Sequence, residues 1–187
     1  MNKENLIKNK SILEMTNLGN YDWIFIDGML FGSLEKWWGD GGRRKAPHEG
    51  IDLCMYKDRN CKVCNVDEKF EITICCKGKV YRIIDDFLGK TIFIGHEIFD
   101  NSMQLFTIYG HTKPIDGIIN GRTLEGGEIV AKVSESKNIE LKTHLHVTSA
   151  WMPKNIDVET LDWKTINNPQ ITKLRDPLKP LNLEPFE

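Results

Sequence analysis

His144-Leu145-His146-Val147-Thr148 is a run of β-prone residues in which the two histidines stand two positions apart. On a strand, successive side chains alternate faces. Both imidazoles therefore point one way, roughly 6–7 Å apart, and Leu145 points into the opposite layer. Such a pair suits one metal ligand beside one acid–base group. Two solvated surface histidines are the plainer alternative. Working outward, residues 51–56, 70–75, 80–84, 91–94, 105–109 and 129–133 are also short and β-prone. Asp85-Asp86, Gly95, Asp100-Asn101 and Gly126-Gly127 punctuate most of them. Many short strands and few long helical periods predict an all-β domain, mainly antiparallel sheets with short helices. One helix is expected over residues 6–15.

At 187 residues a single domain with a real core is expected. Its parts would be an N-terminal extension (1–45), a core (46–151) and an extended C-terminal strap (152–187). The strap holds Pro153, Pro169, Pro177, Pro180 and Pro185, and Trp151 and Trp163 would lay it over the core. The 40% hydrophobic and 28% charged fractions are those of an ordinary globular chain. A formal charge of -2 gives no reason to expect nucleic acid as a partner. No stretch approaches the roughly 20 apolar residues of a membrane helix. The first residues do not read as a signal peptide. Five cysteines, an odd number, cannot form a complete internal disulfide set, which leans toward a reducing compartment. Gly39-Asp40-Gly41-Gly42 is a flexible loop without the Lys-Ser/Thr ending of a phosphate-binding loop. Arg43-Arg44-Lys45 reads as a solvated loop, with contact to substrate as its alternative.

A second motif is His48-Glu49-Gly50-Ile51-Asp52. Pro47 precedes it and β-type residues follow, so a bent loop entering a strand is expected, with Gly50 allowing the bend. His48, Asp52 and one histidine of the later pair make a His₂Asp set. Three protein ligands with one open position form the catalytic zinc pattern, whereas structural sites are usually closed by four. Zinc lowers the pKa of a bound water toward ~7.

With Tyr109-Gly110-His111 between the two motifs, the chain resembles the lysostaphin/LytM-type zinc endopeptidases, which cleave peptide cross-links in bacterial peptidoglycan. The family pattern is His-x-Gly-x-Asp, then Tyr-x-His, then His-Leu-His, and all three occur here in that order. Lys77-Gly78-Lys79-Val80, Thr91 to His96 and Gly127 to Val133 also look like family strands. The resemblance covers about residues 46–151 and implies the duplicated hybrid motif fold, with sheets forming a cleft. It implies that His48, Asp52 and His146 bind Zn2+. His111 and His144 would flank the zinc water, one as general base, the other stabilising the oxyanion. Two adjacent imidazoles titrate as a pair, so the resemblance does not divide those roles. The implied partner is a peptide or peptidoglycan substrate. That places the chain at the cell envelope, against its N-terminus, which shows no export signal.

Some positions depart from the family. Residues 134–143 carry no glycine where the family often has a glycine-rich turn. Val147-Thr148 stands where Phe-Glu is common, and a cysteine-bearing insertion lies between Asp52 and Gly78. Tyr109 would share a strand face with His111 if the strand persists, and reads either as a packed core residue or as a donor near the metal. His96 reads as structural or solvated. Cys54 would share the strand face of Asp52, near the metal. Cys61 and Cys64, with Cys75 or Cys76, read as packed or free thiols, as a second metal site that Cys54 could complete, or as a disulfide. Trp37, Trp38 and Trp151 read as core, or as the walls of a substrate groove. Two other functional classes stay open: a wall-binding or regulatory module of the same fold, and a structural zinc domain centred on the cysteines.

Overall fold

The computed structural model describes residues 9–137 and 140–181. Its architecture is all-β and mainly antiparallel. Twelve strands occur among the described residues. They are β1 (Asp22–Ile24), β2 (Ile51–Leu53), β3 (Met55–Lys57), β4 (Val63–Asn65), β5 (Glu71–Thr73) and β6 (Gly78–Asp85). There follow β7 (Lys90–Asp100), β8 (Met103–Pro114), β9 (Thr123–Leu124), β10 (Ile129–Val133), β11 (Leu145–Pro153) and β12 (Lys173–Arg175). Among the described residues one short α-helix, α1 (Trp163–Ile166), joins them.

A nine-stranded sheet runs β12-β11-β8-β7-β6-β9, with β2 added to β11 and β10 bridging β8 to β5. A smaller sheet runs β1-β3-β4. The long hairpin β7–β8 turns at Asn101, whose φ of 55° suits a short polar side chain. Strands β7, β8 and β11 are buried on both faces, so their sequences read as apolar runs more than as alternation. Ile92, Ile94, Leu105, Tyr109, Leu145 and Val147 face one core. Phe93, Phe106, Ile108, Ala150 and Met152 face the other, which Leu161 and Ile166 close from the C-terminal segment. His146 and Thr148 precede Ala150 and Met152 at a spacing of two, and so belong to this second face.

Two local expectations change. The run 51–56 is not one strand. It breaks at Cys54, where β2 stays on β11 and β3 departs to pair with β1 and β4. The Cys54 carbonyl accepts from Val66 N at that break. Of the helix expected over 6–15, residues 6–8 lie outside the described residues, and 9–15 contain only a 3₁₀ turn, Leu13–Met15. Ser11 and Glu14 cap each other reciprocally, Ser11 N to Glu14 Oε2 at 2.7 Å and Glu14 N to Ser11 Oγ at 3.3 Å. Thr16 then turns the chain to extended backbone and stops it. In the C-terminal segment, β12 pairs with β11 and α1 follows Asp162. No helix among the described residues is long and apolar enough to cross a membrane.

Candidate metal centre

Pairing of β2 with β11 sets Asp52 directly opposite His146. On its other side His146 lies opposite Gly110 of β8. His48 enters from the loop before β2, where Gly32 N donates to His48 O and His48 N donates to Ser33 O. The turn between them passes so close to β11 that a Cβ on Gly50 would meet Val147 O at 2.3 Å. Only glycine lets His48 and Asp52 reach the same point.

There the donors converge. His146 Nδ1 is 2.8 Å from Asp52 Oδ1, His48 Nε2 is 3.2 Å from His146 Nδ1, and His48 Nε2 is 3.4 Å from Asp52 Oδ1. Donors around a tetrahedral zinc, at ~2.0–2.1 Å from it, stand about 3.3 Å apart. The three atoms thus have the separations of one face of such a shell, slightly contracted. All three residues are buried.

The outward atoms of the set are all engaged. His48 Nδ1 faces Leu30 O at 3.2 Å, which fixes the tautomer that leaves Nε2 as donor atom. His146 Nε2 lies 2.8 Å from the Thr148 hydroxyl. Trp37 Nε1 donates to Asp52 Oδ2 at 2.6 Å, and Arg44 Nη2 stands 3.5 Å from the same oxygen. Burial pushes the Asp52 carboxyl up, but hydrogen bonds from His146 and His48 outweigh it and hold the group well below the usual carboxylate range. For His146 burial pushes down, and the Asp52 bond more than reverses it. A charged carboxylate beside two oriented imidazoles can hold a divalent cation.

The other two histidines stand beside this set. His144 Nδ1 donates to Lys142 O at 2.8 Å, leaving Nε2 to face inward, 3.9 Å from Asp52 Oδ1. Burial lowers its pKa to about 4, against the pull of Asp52. His111 lies on a bulge: residues 110 and 111 of β8 intervene where β7 supplies only Thr91, and His111 has a φ of 61°. Its ring meets that of His144 edge-on, at 4.7 Å between centroids. The bulge breaks the alternation that would have put Tyr109 on the same face. Tyr109 instead packs in the first core, with its hydroxyl donating to Thr73 O at 3.4 Å.

Asp86 holds the bulge. Its carboxylate accepts from His111 N, Leu88 N, Gly89 N and the Thr91 hydroxyl, each at 2.8 Å. Its Oδ1 also lies 3.2 Å from His111 Nδ1, off the line of an aligned hydrogen bond. Burial raises the Asp86 carboxyl, but the interaction with His111 prevails and draws it well below the usual range. Nothing in the sequence marked Asp86 beyond a turn signal, because its partner is 25 residues away. Thr148 was legible in principle, two positions from His146 on the same face.

A cavity of about 340 Å³ opens onto all five site residues. Trp38, Arg44, Glu49, Phe87, Leu141 and Trp163 form its walls. Arg44 stacks on Trp38 at 4.4 Å and donates to Gly28 O and Glu35 O, so this arginine of the basic run is built into the site. Arg43 stays exposed. Trp163 packs on His146 at 5.4 Å between centroids. Trp151 lies in the first core and takes no part in the groove.

No family model matches the sequence, and no curated protein matches it. Solved structures do resemble it. Lysostaphin is 16% identical, over 83% of this chain and 51% of that one, with a TM-score of 0.47. LytU is 19% identical, over 80% and 90%, with a TM-score of 0.44. A chain of the SpoIIQ–SpoIIIAH pore-forming complex is 14% identical, over 87% and 98%, with a TM-score of 0.47. The chain spans about half the length of the lysostaphin it matches. At such values none of these likenesses assigns a role to a residue.

Proposed function

We propose that this protein is a zinc-dependent endopeptidase that hydrolyses peptide bonds, with peptidoglycan stem peptides or cross-bridges as its substrate class. The observation that carries the reading is the convergence of His48, Asp52 and His146, with His111 and His144 beside them on one cavity. Zn2+, when bound by the three ligands, would supply Lewis acidity toward a carbonyl and acidify a water. Residues 46–151 would form the catalytic core, with Trp38 and Arg44 before it and Trp163 after it supplying walls.

The two flanking imidazoles divide the proton work by their partners. His144 is held neutral by burial, with Nδ1–H committed to Lys142 O, so its Nε2 lone pair is free to take a proton from the attacking water. His111 stands with its Nδ1 3.2 Å from the Asp86 carboxylate, and its backbone amide donates to that same carboxylate. In this reading it is the donor to the oxyanion that forms on the peptide carbonyl. Trp163 and Phe87 flank the cavity and bound the space left for the substrate backbone.

The test is digestion of purified cross-linked muropeptides by the zinc-loaded protein, with products identified by mass spectrometry. Cleavage is expected, and His146→Ala should lower it by at least ~10²-fold together with bound zinc. Protein loaded with one zinc that cleaves no muropeptide or glycine-rich peptide, and behaves like His146→Ala, would overturn the proposal.

A further inference from the structure

Outside the site just described, three soft donors come together. The turn between β5 and β6 carries Cys75 and Cys76, and β7 carries His96, which is fully buried. Cys75 Sγ lies 3.5 Å from Cys76 Sγ and 3.5 Å from His96 Nε2. Ligand atoms of all three residues lie within 4.8 Å of one another. We infer that Cys75, Cys76 and His96 form a second metal site, selective for a thiophilic d¹⁰ cation of the Zn2+ or Cu+ class.

The donor set fits that class. Thiolates and imidazole select zinc and copper(I) over magnesium or calcium. Two thiolates ~2.3 Å from one ion stand about 3.8 Å apart, close to the separation seen. The imidazole is oriented: His96 Nδ1 faces Cys76 O at 3.2 Å, which leaves Nε2 as the ligating atom. That nitrogen also faces the Thr107 hydroxyl at 2.8 Å, a contact that an ion bound there would replace. Two glycines make room. A Cβ on Gly78 would sit 3.0 Å from His96 Nδ1, and one on Gly126 would sit 3.1 Å from the Cys76 Cα.

A disulfide is the competing outcome, and local geometry disfavours it. Neighbouring Cα atoms across a trans peptide are ~3.8 Å apart, below the ~4.4 Å at which disulfides begin. The pair can grip one ion without closing on itself. The other three cysteines do not join. Cys61 and Cys64 sit on the exposed β3–β4 hairpin, and Cys54 is buried at the β2–β3 break. The site shares no residue with the His48 set.

The test uses the reduced full-length chain, metal-free and under argon, in a His48→Ala/His146→Ala background that removes the first site. Cobalt(II), standing in for zinc, forms one arm. Copper(I), delivered against a competing chelator, forms the other. One equivalent in either arm is expected, with a near-ultraviolet thiolate-to-metal band, and which arm binds assigns the ion. Cys75→Ser/Cys76→Ser should abolish it and Cys61→Ser/Cys64→Ser should not. Equal binding by the Cys75→Ser/Cys76→Ser chain, or loss only with Cys61→Ser/Cys64→Ser, overturns the proposal. A readout that needs no cysteine variant is alkylation followed by peptide mass spectrometry. Either metal should shield Cys75 and Cys76 but not Cys61, and failure of both to shield them also overturns it.

Discussion

His111 occupies left-handed backbone inside a strand, which costs a non-glycine residue about 1–2 kcal/mol. Asp86 offsets that cost by accepting the His111 amide and facing its ring. Asp86→Asn should therefore lower kcat/KM by about 10²-fold while leaving bound zinc unchanged, a split that zinc analysis beside a kinetic assay reads directly. The same change has a pH signature. The Asp86 carboxyl is depressed below its unfolded value of ~3.9, so the stability it contributes is fully present above that pH. It is lost as pH falls through the lower folded pKa. Acid denaturation of Asp86→Asn should begin from lower stability and be flatter below about pH 4 than that of the parent. At this scale the five residues that converge on the cavity were legible in the sequence, because the motifs that carry the resemblance and the strand's period of two are both written there. Asp86 and Trp37 were not. Each acts on a residue that only tertiary pairing brings near, Trp37 on Asp52 and Asp86 on His111.

Among the elements, the turn over Gly50 is the least tolerant. A methyl group there would meet the Val147 carbonyl, the Thr148 hydroxyl at 2.7 Å and the His146 ring at 2.8 Å. Gly50→Ala should destabilise the fold by about 1–3 kcal/mol through overpacking and weaken metal binding as His48 is pushed away. Thermal unfolding together with zinc titration checks it, and an unaltered Tm and affinity would contradict the geometry. Strands β7, β8, β10 and β11 were readable because their apolar runs are long enough to carry a pattern. Strands β1, β4, β9 and β12 span two or three residues each, too few for any period. The break at Cys54 was hidden for a related reason. Residues 51–56 have strand chemistry throughout, and only the competing partners β11 and β1 divide them.

For the molecule as a whole, the two cores are built of apolar side chains that pack on one another. Chelation should therefore leave the far-ultraviolet circular dichroism intact and unfolding cooperative, in contrast to a domain that folds only around its metal. The loss would be in Tm. At free zinc about 100-fold above Kd, binding adds about 2.7 kcal/mol, or about 5–10 °C for a chain of this size. Collapse of secondary structure on chelation would instead mark the metal as structural. The two-faced sheet has one further consequence. Trp163, which rests on His146, is followed in the same short helix by Ile166, which closes over Phe93 and Phe106. Cleft wall and core cover are thus one segment, and a change that loosens it to admit a bulkier substrate also wets a sheet face rich in aromatic and branched side chains. Access to this site and resistance to aggregation are coupled, so broader specificity comes at the expense of solubility.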